Sequence, residues 1–256
     1  MNWEKYERGL NFLNLASEDR EFLKKIFNFA AQIHAGEKRL SGEDYLTHSA
    51  AVSLKLAELK MDRATIAAGL LHDAAETTPT ALAEIRKNFG EELAFLVDAV
   101  TKVEKVKSSG TDRALESVRK MFMAVAEDIR VVIIKLADRL HNMETADWLS
   151  REKRERIAGE TLSLYAPLAE RLGMWNVKAR LEDLSMKYLY PREYESIASE
   201  VKKIAPERER YLKKIAPQVE AELSKENIKP LELSYRAKHL YSIWQKLKRY
   251  DGDWTH

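Results

Sequence analysis

Two imidazoles and two carboxylates stand out in this chain: an isolated His48, an adjacent His72-Asp73 pair and, further on, Asp138. Nitrogen and oxygen donors in that mixture suit a first-row divalent cation in octahedral coordination. The chain has 0 Cys, so thiolate metal sites and disulfides are excluded. Without sulfur, the donor set points to hydrolysis at phosphorus: a bound cation acidifies water and polarises a phosphoryl oxygen. Glu76 follows His72 at helical spacing and could orient that water or accept its proton. Asn142 and Thr145 follow Asp138 on the same side of a helix, where Asn142 could hold the water or a phosphate oxygen.

Each residue also has a plainer reading. A solitary His48 can be a half-buried histidine bonded to a carbonyl. Asp138 next to Arg139 can be an ion pair, and Glu76 a helix-end partner for Lys or Arg. The surroundings favour the metal. Ala67-Ala68-Gly69-Leu70-Leu71 leads into His72-Asp73, and Val131-Val132-Ile133-Ile134 precedes Asp138. A carboxylate carried into such apolar helices must be paired or metal-bound. The competing arrangement is a buried ion-pair network using Lys135 and Arg139.

The elements that must position these residues are helices. Apolar residues recur every three or four positions almost throughout, and 9 Gly and 6 Pro in 256 residues leave little material for turns. Phe22, Ile26, Phe29 and Ala30 predict a helix ending at Gly36, and Val52 to Leu59 another beginning after Gly42. Ile66 to Ala75 reads as a third, closed by Thr77-Thr78-Pro79, with Thr80 available to cap the next. Phe89-Gly90 separates that helix from one through Leu93, Leu96 and Val100. Lys107 to Thr111 is a polar break. A long helical stretch from Asp112 to Ala146 is interrupted near Asp128. Its β-branched run 129–134 could pass for a strand, but Leu136, Leu140 and Met143 continue a helical stripe. Ser150 caps a helix to Arg171 that Gly173 ends, and helices over Val177–Tyr188 and Arg192–Lys203 complete the first unit.

Beyond that unit, 206–227 reads as a charged, solvated connector. Residues 228–235 alternate like a strand and lead into a helix from Lys238. A lone strand and helix bury no core of their own, so a truncated second domain is expected. The domain reading is therefore 1–204, 205–227 and 228–256. With 45% hydrophobic and 33% charged residues and a net charge of +2, the chain reads as soluble and globular, with no electrostatic case for nucleic acid. The start, Met1-Asn2-Trp3-Glu4-Lys5, lacks a secretion-signal layout, and the apolar runs are too short to span a bilayer. No membrane partner and a cytoplasmic location are expected.

Several stretches, in order, resemble the hydrolase domain of the RelA/SpoT homologues. They are Arg39-Leu40-Ser41-Gly42-Glu43-Asp44-Tyr45 followed by His48, then Leu70-Leu71-His72-Asp73-Ala74-Ala75-Glu76, then Val100-Thr101-Lys102. The most specific is Lys135-Leu136-Ala137-Asp138-Arg139-Leu140-His141-Asn142-Met143. Tyr165 to Gly173 and Leu189-Tyr190-Pro191 also fit. The resemblance implies an all-α HD-domain bundle, with manganese (Mn2+) held by His48, His72, Asp73 and Asp138. It further implies removal of the 3′-pyrophosphate from guanosine tetra- or pentaphosphate (ppGpp, pppGpp), giving GDP or GTP. Arg39 and Ser41 match the loop that holds the guanosine, and Asn142 and Thr145 match substrate-contacting positions. Arg236 to Lys246 resembles the opening of the family's α/β synthetase domain, whose catalytic acidic residues lie further on, so no synthesis is expected here. Any ribosome contact would belong to a longer parent chain. The sequence departs from the pattern at five places. Thr77 follows Glu76 where the family has Asp, Leu40 replaces a Lys, Asp44 and Ser49 replace Pro, and Tyr235 replaces Gly. Thr77 cannot ionise, so a carboxylate that positions or deprotonates water is missing. Thr77→Asp is therefore expected to raise turnover.

Overall fold

The computed structural model describes residues 1–78, 80–104, 126–230 and 238–250, with positions 119 and 123 besides. The expected polar break at 107–111, Pro79 and most of the alternating stretch 228–235 lie outside the described residues. The all-α expectation holds: among the described residues the only β pairing is a lone bridge between Lys38 and Asp44. No described helix is long and apolar enough to cross a membrane.

Helix α1 (Trp3–Leu10) and helix α2 (Ser17–Ile33) lay Tyr6, Leu10, Leu23, Ile26, Phe27 and Ala30 into the core, at the spacing of single buried stripes. Helices α3 (Tyr45–Glu58) and α4 (Arg63–Leu71) pack closely on one another. Asp62 opens α4 by accepting the amides of Ala64 and Thr65 at 3.0 Å. Every residue from Ala64 to Leu71 is buried, which makes α4 the central helix. Its approach to α3 depends on Gly69, where a Cβ would stand 3.0 Å from Ser53 Cα and 2.6 Å from a Leu56 methyl. Gly69→Ala is therefore expected to cost on the order of 1–3 kcal/mol by overpacking, read as a lower midpoint in chemical denaturation. An unchanged midpoint would show that α3 and α4 can separate freely.

The helix expected over 66–75 stops early. His72 closes α4, Asp73 sits in a turn at φ −97°, ψ −3°, and a short helix α5 (Ala74–Thr77) follows. The His72 ring takes the Gly69 carbonyl, and the Asp73 carbonyl accepts the amides of Glu76 and Thr77. These contacts replace the helical ladder at the turn. Helices α6 (Ala81–Phe89) and α7 (Glu91–Glu104) follow. Thr80 precedes α6 as expected, but its hydroxyl bonds the Glu84 carboxylate instead of a backbone amide.

The β-branched run is helical: α8 (Ile129–Glu144) starts where Asp128 accepts the Arg130 amide at 2.9 Å. It packs against α3, α4 and α7. The helix expected from Ser150 to Arg171 is divided into α9 (Arg151–Glu160), a π-turn (Thr161–Tyr165) and α10 (Ala166–Arg171). Pro167 has no N–H for the Ser163 carbonyl, and the Ala166 amide reaches back to Thr161.

Helix α11 (Trp175–Leu189) packs across α8 to α10. Helix α12 (Pro191–Lys225) runs on past the expected end at Lys203, through Pro206 and Pro217. Lys202 and Lys213, each four residues before one of those prolines, are both exposed, so the missing proline N–H falls on the solvent side of the helix. Helix α13 (Leu240–Arg249) does not lie free on a solvated face. Trp244 is buried against Met186 and Ile197, and Asp183 of α11 accepts the Leu240 and Tyr241 amides.

Candidate metal centre

The turn that ends α4 brings the two histidine rings edge to face, at an interplanar angle of 63°. His72 Nδ1 is 2.9 Å from the Gly69 carbonyl, which fixes a proton there and leaves Nε2 as the atom that can exchange a proton for a cation. That Nε2 is buried and has no hydrogen-bond partner. His48, in the first turn of α3, lies with its ring centroid 5.1 Å from that of His72. Asp138 Oδ1 is 3.3 Å from His48 Nε2 and 3.7 Å from His72 Nε2. Asp73 Oδ2 is 3.2 Å from His72 Nε2 and 3.7 Å from His48 Nε2. All four residues are buried, Asp73 the least at 7% exposed. His48, His72 and Asp138 offer donor atoms all within 4.8 Å of one another, with Asp73 reaching both imidazoles from beside them, a buried donor set that fits a divalent cation.

Neighbouring groups hold the carboxylates in place. The Tyr45 hydroxyl donates to Asp73 Oδ2 at 2.8 Å, and Lys135 Nζ donates to Asp138 Oδ2 at 2.9 Å. The buried ion pair weighed against a metal thus exists for Lys135. Arg139 is turned away, its guanidinium bonded to the Tyr165 hydroxyl and 4.0 Å above that ring. Lys135 occupies only one oxygen of Asp138, and the other still faces both imidazoles.

Burial pushes both carboxyls up, yet Lys135 and the imidazoles hold Asp138 well below the usual range, and His72 chiefly does the same for Asp73. Burial opposes a charged His72, but the Asp73 and Asp138 charges outweigh it and raise that ring well above 6.5. His48 goes down, through burial foremost. His141 falls to about 3, from burial and then the charges of His48 and Arg39. Cation uptake at neutral pH must therefore displace the His72 proton. Calorimetric titration with Mn2+ in buffers of different ionisation heat should show about one proton released per ion, with affinity rising as pH rises. No release would contradict the assignment of His72.

Beside the cluster opens a cavity of about 560 Å3, lined in part by Arg39, Ser41, Asp138, Asn142 and Thr145. Asn142 donates to Asp138 Oδ1 and accepts from Arg39, each at 2.6 Å. Arg39 also lies 3.0 Å from His48 Nδ1. The Thr145 hydroxyl donates to the His141 carbonyl, and Ser41 lies 3.4 Å from the Glu43 carboxylate. Glu76 is exposed on α5, past the turn, so it does not share a continuous helix with His72. Thr77 is half-buried, its hydroxyl 3.5 Å from Glu37 Oε2. Sequence reasoning gave no role to Tyr45, although it precedes His48 by one helical turn. It also passed over Lys153 and Arg156, which line the far wall from α9. In sequence these two look like any solvated charged face.

Residues 27–175 match the family model for the HD domain. The chain is 47% identical over 230 residues to the guanosine-3′,5′-bis(diphosphate) 3′-pyrophosphohydrolase of Aquifex aeolicus, covering 90% of this chain and 33% of that protein. It is 44% identical to the bifunctional (p)ppGpp synthase/hydrolase SpoT of Escherichia coli, covering 88% of this chain and 32% of that one. A GTP pyrophosphokinase of Streptomyces antibioticus is 48% identical over 88% of this chain and 26% of its own length. The chain thus spans about a quarter to a third of the length of the curated relatives it matches.

Proposed function

The chain belongs to the HD-domain family and is homologous to the RelA/SpoT proteins over most of its length, and from that premise we propose that it hydrolyses the 3′-pyrophosphate of guanosine tetra- and pentaphosphate, using manganese. One observation carries the reading: Asp138 belongs at once to the buried histidine–carboxylate cluster and to the wall of a cation-rich cavity. His48, His72, Asp73 and Asp138 would hold the ion. When bound, such an ion supplies Lewis-acid polarisation and a more acidic water.

The remaining work falls to the chain itself. Lys135 takes Oδ2 of Asp138 and leaves Oδ1 toward the imidazoles, while Tyr45 donates to Asp73 Oδ2, the oxygen that itself lies nearest His72. Asn142 ties Asp138 to Arg39, and a nucleotide entering the cavity would meet that guanidinium beside the cluster. Arg39 can stack on the base, with Ser41, Thr145 and the exposed Leu40 along the same wall. Lys153 and Arg156 offer a second cationic pole for the 5′-phosphates. Water attacks the phosphorus bonded to the ribose 3′-oxygen, that P–O bond breaks, the 3′-oxygen takes up a proton to become the hydroxyl, and pyrophosphate departs.

The test is incubation with Mn2+ and guanosine tetraphosphate. Release of pyrophosphate with GDP supports the proposal. Tight binding without release would make the chain a regulatory nucleotide-binding module, a reading that Thr77 favours. Equal or faster release from other pyrophosphate-bearing nucleotides would move the substrate away from guanosine.

A further inference from the structure

Thr77 brings no charge to the helix after His72-Asp73, but a carboxylate from another part of the chain reaches it. Glu37 lies in the segment between α2 and α3, with Oε2 3.5 Å from Thr77 Oγ1 and 2.8 Å from Nδ1 of His34. His34 is buried and its Nε2 has no partner, while Nδ1 faces a carboxylate that can only accept, so the Nδ1 proton is donated to Glu37. The same ring stacks on Tyr45 at 4.9 Å, and Tyr45 donates to Asp73. The Glu37 carbonyl accepts the Tyr45 amide, and the Thr77 amide donates to the Asp73 carbonyl. Glu37 is thus linked to Asp73 by two routes, one through Tyr45 and one through Thr77. Its side chain remains 39% exposed, so its charge is not walled off from the solvent side.

We propose that Glu37 is a positioning residue for hydrolysis, supplying through the Thr77 hydroxyl the negative charge that position 77 itself lacks. By donating to Glu37, the hydroxyl keeps its lone pairs free to accept from an approaching water or hydroxyl, strengthened by the carboxylate behind it. Glu37 provides the charge and Thr77 the placement. The inference rests on the hydrolase reading above. It also reverses the expectation that Thr77→Asp alone raises turnover. That change sets two carboxylates side by side, and one of them takes up a proton.

The experiment compares the parent chain, Glu37→Gln, Thr77→Asp and the double variant. It measures kcat and KM for pyrophosphate release from guanosine tetraphosphate, and Mn2+ affinity by calorimetry. Glu37→Gln should lower kcat by roughly 10–100-fold, with KM and Mn2+ affinity nearly unchanged. Thr77→Asp alone should bring no gain. The double variant, with one carboxylate restored at position 77, should recover most of the parent kcat. An unchanged kcat in Glu37→Gln, or a loss that Thr77→Asp does not rescue, overturns the inference and leaves the hydrolase reading standing. A parent chain that binds Mn2+ and nucleotide but releases no pyrophosphate overturns both.

Discussion

Asp138→Asn is expected to lower kcat for pyrophosphate release by on the order of a thousandfold, with a matching loss of Mn2+ affinity. Asn has the shape of Asp, so the change leaves the packing of α8 in place and removes only the charge. That charge is shared: Lys135 takes one oxygen, while the other lies within reach of Asn142 and both imidazoles. An amide can imitate one of those oxygens but presents N–H groups to the rest. It would also remove the Asp138 charge from the buried ion pair with Lys135, itself 4% exposed. Paired assays of turnover and calorimetric binding check this. Retained turnover would remove Asp138 from the site.

Lys135→Met should give the largest change in stability, about 3–5 kcal/mol, because it breaks a buried ion pair and leaves the Asp138 charge to the imidazoles alone. The cost should depend on metal. With Mn2+ bound, the ion supplies the missing positive charge, so the deficit should be smaller than in chelator. It should also depend on pH. Asp138 is held well below 3.8 in the fold, chiefly by Lys135. That stabilisation is present above the unfolded carboxyl range and is lost as pH falls toward the folded value. The gap between variant and parent should therefore narrow in acid. Denaturation midpoints in Mn2+ and in chelator, at neutral and acid pH, test all three. An equal deficit with and without Mn2+ would mean that Lys135 and a cation do not share Asp138.

Much of this was legible before any coordinates. Helical periodicity located α2, α3, α7 and α8, and in α8 the continuation through Leu136, Leu140 and Met143 outweighed the strand preference of Val131 to Ile134. Residue type and apolar context picked out the histidines and carboxylates that the fold brings together. The break at His72-Asp73 was not legible, because Ala74 and Ala75 keep the helical pattern going. It comes from a side chain competing for the Gly69 carbonyl, where Gly69 itself is set by contact with α3. The continuity of α12 was hidden for the opposite reason. Prolines usually end helices, but here the positions four residues before each of them are exposed and the helix continues. The burial of Trp244 needed tertiary contact with α11 and α12. Glu37 carries no periodic signal, and only the folded path from α2 to α3 sets it beside Thr77.

The central claim is that two imidazole nitrogens and two carboxylates grip one cation. It is tested most directly by electron paramagnetic resonance of the Mn2+-loaded chain labelled with 15N at histidine. One ion per chain is expected, with hyperfine coupling to two imidazole nitrogens, one of which disappears in His48→Gln. A Mn2+ spectrum showing only water and carboxylate oxygen, unchanged by that substitution, would contradict it.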